Sequence, residues 1–451
     1  MYQMDSSWAG PVILIIFGLA YAFVFAEEKL RLRKSKPVMV AAGLIWIVVA
    51  VAFHQMGRAG EVAGILRQVL VEYAELLLFL LSAMSFVNAM VERNVFEALR
   101  VKLMTSHLSV RGIYWITGVC AFFLSPIADN LTTALVMGTV VLSTLRQNSK
   151  AVASALVNVV VAANAGGAFS PFGDITTLMI WQKGAVEFTQ FFALFMPSLI
   201  NWLVPAVLIS LSLPKEQSEV LYNRVEVHKG GFVITGLFLA TVATTVMLDH
   251  WLHLPPFLGM MMGLGVLNLY GYFLNGTEAR NLAKAPMATA APLTPDEKWP
   301  LRKPFDIFGI LEKVEWDTLL FFYGVMLCVG GVGAIGYLEG LSRFLYTDLG
   351  ATTANISIGL LSSVVDNIPL TFAVLTMNPP MNLGQWLLVT LAAGVGGSLL
   401  SIGSAAGVAL MGIGKGVYTF TAHLKWSWAI LLGFAASIAV HLVVNQCLFN
   451  S

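Results

Sequence analysis

A short motif with an aspartate near its centre occurs twice in this chain, each time inside a long apolar stretch. The motif reads Ser-Pro-Ile-Ala-Asp-Asn-Leu-Thr at residues 125–132 and Ser-Ser-Val-Val-Asp-Asn-Ile-Pro at residues 362–369. A carboxylate at the centre of a bilayer costs about 3 kcal/mol on insertion scales, so acids at that depth usually serve function. The repeat therefore predicts a chain of two related halves, each with an acid placed inside a membrane.

An apolar stretch interrupted by glycines follows each copy of the motif. It reads Gly-Gly-Ala-Phe-Ser-Pro-Phe-Gly-Asp at residues 166–174 and Gly-Gly-Ser-Leu-Leu-Ser-Ile-Gly-Ser at residues 396–404, with the glycines at identical spacing. Interrupted segments at corresponding positions of two halves indicate the binding site of a secondary transporter. We expect the backbone to unwind there at six glycines, because glycine tolerates irregular conformations: Gly166, Gly167, Gly173, Gly396, Gly397 and Gly403.

Composition indicates which solvent such a chain faces. Of the 451 residues, 57% are hydrophobic and 11% are charged, against about 25% charged in ordinary soluble domains. Most of the chain must therefore face lipid or other helices. A net charge of +1, without a basic stripe in the sequence, argues against a nucleic-acid partner.

The apolar stretches predict an all-α polytopic membrane protein with about ten spans, two re-entrant hairpins and two broken transmembrane helices. The hairpins are 112–146, broken at Pro126, and 352–379, broken at Pro369. Each hairpin should carry its Asp-Asn pair near its tip. The spans lie near 8–26, 37–56, 69–91, 148–183, 188–213, 231–249, 255–275, 316–338, 384–414 and 426–447, of which 148–183 and 384–414 are the broken helices.

Basic residues in the short loops predict the orientation of the chain. Loops 27–37 and 92–111 are rich in Lys and Arg, which places them in the cytoplasm and both chain termini on the opposite side. The first hairpin then opens from the cytoplasm and the second from the other side, as an inverted repeat requires. The predicted organisation is a first repeat at 1–213, a cytoplasmic loop at 214–230, and a second repeat at 231–451 that contains a cytoplasmic linker at 276–304.

The two motifs supply the oxygen ligands that Na⁺ needs when it leaves water, namely backbone carbonyls, hydroxyls, amides and carboxylates. Burial and mutual repulsion both disfavour two ionised acids at one site, so a proton and Na⁺ would compete to neutralise them. Such competition, combined with alternating access, is sufficient for antiport. The first site is expected to combine Ser125, Asp129 and Asn130 with Ser170, Asp174 and Thr176, and the second to combine Ser362, Asp366 and Asn367 with Ser401 and Ser404. The acids expected to exchange protons for cations are Asp129, Asp174 and Asp366.

Other interpretations of the same residues stay open. Asp or Asn after a turn is a common N-cap of the following helix. An anion or metalloid permease would need a cationic or hydroxyl-rich cradle, and the hairpin tips contain no Lys or Arg. An intramembrane protease is the enzyme alternative, with Phe172-Gly-Asp174 as an imperfect aspartyl motif or Ser398 and His441 as a dyad. Neither protease explains an inverted repeat, so we expect a transporter and not an enzyme.

Two stretches resemble the signatures of NhaD-type sodium/proton antiporters, within the ion transporter superfamily. They are Ser-Pro-Ile-Ala-Asp-Asn-Leu-Thr-Thr from residue 125 and Asn-Ala-Gly-Gly-Ala-Phe-Ser-Pro-Phe-Gly-Asp-Ile-Thr-Thr from residue 164. The resemblance implies a homodimer in a bacterial inner membrane, with both termini periplasmic, that exchanges cytoplasmic Na⁺ or Li⁺ for external H⁺ by an elevator mechanism. No cofactor is expected, and the only metal expected is the transported Na⁺.

The hairpin tips differ from those of a related group. Sodium/dicarboxylate symporters carry Ser-Asn-Thr at both tips, whereas this chain has Asp-Asn-Leu at 129–131 and Asp-Asn-Ile at 366–368. An acid in place of serine makes the tip protonatable, and an aliphatic residue in place of threonine removes a hydroxyl that could hold a substrate carboxylate. This departure favours cation antiport over anion symport.

Overall fold

The computed structural model describes residues 8–30, 32–104, 109–145, 148–214, 227–283 and 305–450. Most of the predicted loop 214–230 and of the predicted linker 276–304 lies outside these ranges. Within the described part of the chain, nine helices are long and apolar enough to cross a membrane. The predicted class, an all-α polytopic membrane protein, is confirmed.

The helices follow one another with short connections. Those up to residue 210 are α1 (Ala9–Phe25), α2 (Glu27–Leu30), α3 (Ser35–Gln55), α4 (Ala59–Glu92), α5 (Val95–Met104), α6 (Val110–Ala128), α7 (Asn130–Thr144), α8 (Ser149–Gly167), α9 (Ile175–Gln182) and α10 (Phe195–Ser210). The later ones are α11 (Gly231–Leu252), α12 (Pro256–Ala283), α13 (Ile307–Glu312), α14 (Trp316–Ala334), α15 (Tyr337–Ser342), α16 (Ala351–Leu361), α17 (Asn367–Met377), α18 (Leu383–Gly396), α19 (Ala405–Ile413), α20 (Phe420–Leu424) and α21 (Ser427–Val444).

Two helices extend beyond their predicted spans. Helix α4 begins at Ala59, where the apolar pattern predicted a start near residue 69, and Arg58 donates to Glu61 in its first turn. Helix α12 continues to Ala283, inside the predicted linker. Residues 277–283 contain no proline or glycine, so a helix can persist there after its apolar character ends.

Both hairpins break beside their prolines and not at them. Helix α6 continues through Pro126 and ends at Asp129, whose φ of 59° turns the chain. In the second hairpin the break occupies residues 362–366, and Pro369 lies in the first turn of α17. A proline in the first turn removes a backbone N–H that has no helical partner, so it is tolerated there. The predicted breaks at the two prolines are therefore corrected to the Asp-containing turns.

The described helices form two compact units. The larger unit comprises Met1–Tyr73, Leu99–Arg224 and Asp317–Ser451, and the smaller comprises Ala74–Ala98 and Val225–Trp316. These units reflect packing, and both predicted repeats contribute to the larger one. The repeat boundaries at residues 213 and 231 stay a prediction.

The smaller unit packs through small residues. Gly259 and Gly263 of α12 lie against Thr245 and Thr241 of α11, so that the two helices approach closely. Ser82 Oγ of α4 donates to the carbonyl of Met260 at 2.6 Å. Small residues that let backbones approach are typical of helix packing in membranes.

In the larger unit, the two hairpins and the two broken helices pack in the same way in each half. Gly166 of α8 lies against the backbone of Phe122 in α6, and Gly396 of α18 lies against the backbone of Gly359 in α16. A Cβ added at either glycine would overlap a carbonyl oxygen of the neighbouring helix. Glycine is therefore required at both positions by close helix packing.

We expect Gly396→Ala to lower the stability of the folded protein by about 1–3 kcal/mol, the usual cost of overpacking a tight contact. Gly412→Ala is the matched control, because its added Cβ would meet no atom within 4 Å and alanine favours a helix by up to about 1 kcal/mol. Thermal unfolding of the detergent-solubilised variants measures both effects. Equal melting temperatures would contradict the packing argument.

Candidate functional site

The second part of each broken helix begins with a capping side chain. Asp174 Oδ1 accepts from the backbone N–H of Thr176 at 3.1 Å and caps α9. Ser404 Oγ accepts from the N–H of Gly407 at 3.2 Å and caps α19. The same position in the two halves therefore carries an acid in one and a hydroxyl in the other, and the N-terminus of a helix favours a negative charge.

A buried serine ties each hairpin to the neighbouring broken helix. Ser125 Oγ donates to the carbonyl of Ala163 in α8 at 2.6 Å, and Ser362 Oγ donates to the carbonyl of Ala393 in α18 at 2.8 Å. Both serines are fully buried. These equivalent hydrogen bonds hold the two hairpin tips at corresponding places beside the helix breaks.

Asp174 lies where the tips of both hairpins meet. Its Oδ2 accepts from Asn130 Nδ2 of the first hairpin at 3.1 Å and from Asn367 Nδ2 of the second hairpin at 3.1 Å. The aspartate is 5% exposed. One carboxylate thus receives an amide from each half of the chain, and the Thr176 backbone N–H approaches its other oxygen. The sequence had paired Asn367 with Ser401 and Ser404 instead.

Further polar residues extend this cluster. Asn130 Nδ2 also donates to Asn164 Oδ1 at 3.2 Å, and Asn164 Nδ2 donates to Ser398 Oγ at 2.8 Å. Thr177 Oγ1 donates to the carbonyls of Ser170 and Asp174 and braces the loop before α9. Asn164, Ser398 and Thr177 were not among the predicted ligands, although an asparagine buried in an apolar helix was a signal for the first of them.

The other two predicted acids lie outside this amide cluster in the present conformation. Asp129 caps α7, accepting from the backbone N–H of Thr132 at 2.7 Å and from its hydroxyl at 2.9 Å. Asp366 caps α17 through the N–H of Ile368, and its Oδ2 lies 3.6 Å from Lys34 Nζ. Both acids therefore play the capping role that the sequence left open, at the turns of the hairpins.

The remaining predicted ligands make local contacts. Ser170 Oγ donates to the carbonyl of Pro126 at 2.9 Å, which joins the loop before α9 to the first hairpin. Ser401 Oγ lies 3.2 Å from Met411 Sδ. Both serines and Thr176 are buried, so their hydroxyls would need side-chain rotation to face a cation at Asp174.

Glycine contacts shape the two breaks alike. Gly167 lies against the backbone of Gly173 across the first break, and Gly397 lies against Gly403 across the second. Each chain segment thus folds back on itself with no room for a Cβ between the two strands of the turn. This close approach leaves backbone groups of the breaks beside the capping residues Asp174 and Ser404.

Comparison with known proteins agrees with this geometry. Residues 11–295 and 301–396 match the citrate transporter family. The Na⁺/H⁺ antiporter NhaD of Vibrio cholerae is 52% identical over 98% of this chain and 94% of its own length. NhaD of Alkalimonas amylolytica is 52% identical over 99% of this chain and 93% of its own, and sodium/proton antiporter 1 of Arabidopsis thaliana is 32% identical over 99% and 75%.

The chain belongs to the citrate transporter family, among its NhaD-type antiporters. Its membership accounts for the multi-pass architecture and for the two hairpins with their Asp-Asn tips. The relatives are transporters by name, which agrees with the expectation that the chain is not an enzyme.

The protease dyad considered from the sequence is not formed in this NhaD-type chain. His441 Nε2 lies 2.9 Å from the carbonyl of Gly384, and its Nδ1 lies 2.9 Å from Asn445 Nδ2. Ser398 Oγ instead accepts from Asn164. The serine and histidine thus serve separate hydrogen-bond networks, which contradicts a Ser–His nucleophile.

A cavity of about 460 Å³ lies at the far ends of α9 and α17, away from Asp174. Lys183, which follows α9, and Thr376 of α17 contribute to its wall. Lys183 Nζ pairs with Glu72 Oε1 of α4 at 2.5 Å beside it. The half-helices that present Asp174 and Asn367 at one end therefore reach this cavity at the other.

We expect Asp174→Asn to abolish Na⁺-dependent dissipation of ΔpH in everted membrane vesicles, because asparagine keeps the volume of the side chain but carries no charge and no exchangeable acid proton. Asp348→Asn is the matched control, since Asp348 is an exposed acid of the same unit, and it should stay within about twofold of wild type. Amounts of folded protein are compared by size-exclusion chromatography. Wild-type exchange by Asp174→Asn would contradict the assignment.

The shared oxygen of Asp174 makes a second prediction. Asn130→Ala and Asn367→Ala should each raise the apparent KM for Na⁺ about fivefold, because each removes one polar contact of about 1 kcal/mol. Asn355→Ala is the control, since this buried asparagine donates to Gln385 away from the site and should change stability without changing KM. An unchanged KM with a collapsed maximal rate would instead assign the two asparagines to the conformational change.

Proposed function

We propose that this protein exchanges Na⁺, and also Li⁺, for H⁺ across a bacterial inner membrane at a site centred on Asp174. The observation that carries the proposal is the buried carboxylate that both hairpin tips contact at 3.1 Å through Asn130 and Asn367. A single acid can hold either a proton or a cation, so each ligand excludes the other. The sodium/proton antiporters among the relatives support the same ions.

Cation binding requires a rearrangement of the two amides. In this conformation they present N–H groups to Asp174, which is the arrangement that suits a negatively charged carboxylate without a cation. A bound Na⁺ would need oxygen ligands, and each amide supplies one when it turns about its last side-chain bond. Ser125, Ser170, Thr176, Ser362, Ser401 and Ser404 are the neighbouring hydroxyls proposed to complete the coordination shell together with exposed carbonyls.

Asp129 and Asp366 take a different part in the proposal. Each acid begins the second helix of its hairpin, and a cap that becomes protonated or binds a cation loses part of its hold on the backbone N–H groups. Charge changes at these two tips are therefore proposed to accompany the movement of the hairpins. Alternating access then follows from motion of the hairpins and broken helices together, as an elevator within a homodimer.

The orientation proposed for the chain follows its basic loops. Lys and Arg in loops 27–37 and 92–111 favour the cytoplasmic side, and this places both termini in the periplasm. Na⁺ would then leave the cytoplasm as H⁺ enters.

Anion transport is the second candidate, because the matching family is described as citrate transporter and Lys34 lies beside the tip of the second hairpin. The amides and acid around Asp174 favour the cation. Dissipation of ΔpH by purified protein in liposomes, with Na⁺, Li⁺, K⁺ or citrate added in turn, separates the two. A response to citrate alone would refute the proposal.

Competition at Asp174 predicts a pH dependence. Lowering the pH protonates the site and raises the apparent KM for Na⁺, while the maximal rate changes less; raising the pH lowers the KM by up to about tenfold per unit for one competing proton. The slope of log KM against pH between about 7 and 9 measures this effect. A flat line across that window in the wild type would exclude direct competition and require a separate proton path.

A further inference from the structure

An ammonium group reaches the tip of the second hairpin from a distant part of the chain. Lys34 Nζ lies 3.6 Å from Asp366 Oδ2. Lys34 directly precedes α3, and Asp366 caps α17, more than three hundred residues later. The two acids of the second hairpin region are thus neutralised in different ways, Asp174 by amide and backbone donors and Asp366 by a cation from elsewhere in the chain.

The position of Lys34 is fixed by contacts on several sides. Its Nζ lies 4.5 Å from the centre of the Phe321 ring in α14, and its backbone N–H donates to Glu27 Oε1 at 3.3 Å. The next residue, Ser35, donates to Asp317 Oδ1 at 2.5 Å. A side chain anchored in this way keeps its charge near one place, which distinguishes it from a freely moving surface lysine.

The anchor belongs to helices that pack with one another. Gly324 of α14 lies against Val38 of α3, and Trp46 Nε1 of α3 donates to the carbonyl of Leu327 in α14 at 2.9 Å. Asp366, in contrast, belongs to the hairpin whose Ser362 is bonded to α18. The Lys34–Asp366 pair therefore joins the α3–α14 pair to an element of the proposed ion site.

The pair is also one that can be exchanged. The side chains of Lys34 and Asp366 are 22% and 23% exposed, and their 3.6 Å separation exceeds the roughly 2.7–2.9 Å of a tight charge-assisted hydrogen bond. Water and small cations can therefore approach the carboxylate without a large desolvation cost. A cation that binds Asp366 would displace the ammonium by like-charge repulsion.

We propose that Lys34 is a tethered cation that occupies Asp366 in this conformation and competes there with the transported cation, and that it thereby sets the apparent affinity for Na⁺. This inference rests on the proposed function. Lys34 is in these terms a positioning residue that acts through Asp366, and it restrains the hairpin tip until a cation takes its place.

The test is the apparent KM for Na⁺ of Lys34→Gln in everted vesicles, whose outer face corresponds to the side on which Lys34 is expected. Removing the competitor should lower this KM roughly twofold to fivefold, the range for a partly exposed ion pair, without a comparable fall in maximal rate. Lys34→Arg keeps the charge and should retain the wild-type KM. Lys36→Gln removes an exposed charge two residues away and should leave the KM unchanged.

Chemical rescue separates charge from structure. Lys34→Cys should show the lowered KM, and modification with an aminoethyl methanethiosulfonate should restore it, whereas the uncharged methyl reagent should not. Wild-type protein is treated in parallel because it contains Cys120, Cys328 and Cys447. This pair of reagents gives an answer even if Lys34→Gln folds poorly.

The outcomes are distinct. Wild-type exchange with an unchanged or raised KM in Lys34→Gln, an equal shift in Lys36→Gln, or equal effects of the two reagents would each overturn the role of Lys34 alone. Loss of Na⁺-dependent ΔpH dissipation from wild-type vesicles would overturn the proposed function and this inference with it.

Discussion

A carboxylate buried in a membrane protein must be neutralised or hydrogen-bonded, and this requirement organises the centre of the molecule. Asp174 meets it with the amides of Asn130 and Asn367 and with the backbone N–H of Thr176. Leaving a buried charge without such donors would cost several kcal/mol. The hairpins, the breaks and the glycine contacts all serve to bring these donors to one place.

The arrangement of the donors explains why two similar halves form one unequal site. The serine ties of the hairpins and the glycine contacts of the breaks repeat almost unchanged. Only the capping residue differs, with Asp174 in one half and Ser404 in the other. Because Ser404 offers no charge, Asn367 extends across to the acid of the first half, and the two motifs converge instead of forming separate sites.

Much of the fold could be predicted from the sequence because its signals are local. Apolar length gives the spans, and the Asp-Asn repeats give the hairpins. The hairpin breaks were misplaced at Pro126 and Pro369 because a proline interrupts hydrogen bonding only where an N–H is needed, and the first turn of α17 does not need it. The starts and ends of α4 and α12 were missed because polar sequence can stay helical outside lipid.

The contacts between distant segments were beyond sequence reasoning. Each predicted ligand of the cluster had been paired with partners from its own half, because a repeat suggests symmetry. The crossing of Asn367 to Asp174 depends on how the halves pack. The approach of Lys34 to Asp366 depends likewise on how α3 lies against α14, and no periodicity within either segment encodes it.

The shared oxygen of Asp174 has a consequence for the energetics of the two halves. When two groups compete for or support the same acceptor, removing one changes what the other contributes, so their effects are not additive. Asn130 and Asn367 are in this position although they lie in different halves of the chain. The duplicated halves are thus thermodynamically linked through a single atom, and neither hairpin can leave the centre without altering the strength with which the other is retained.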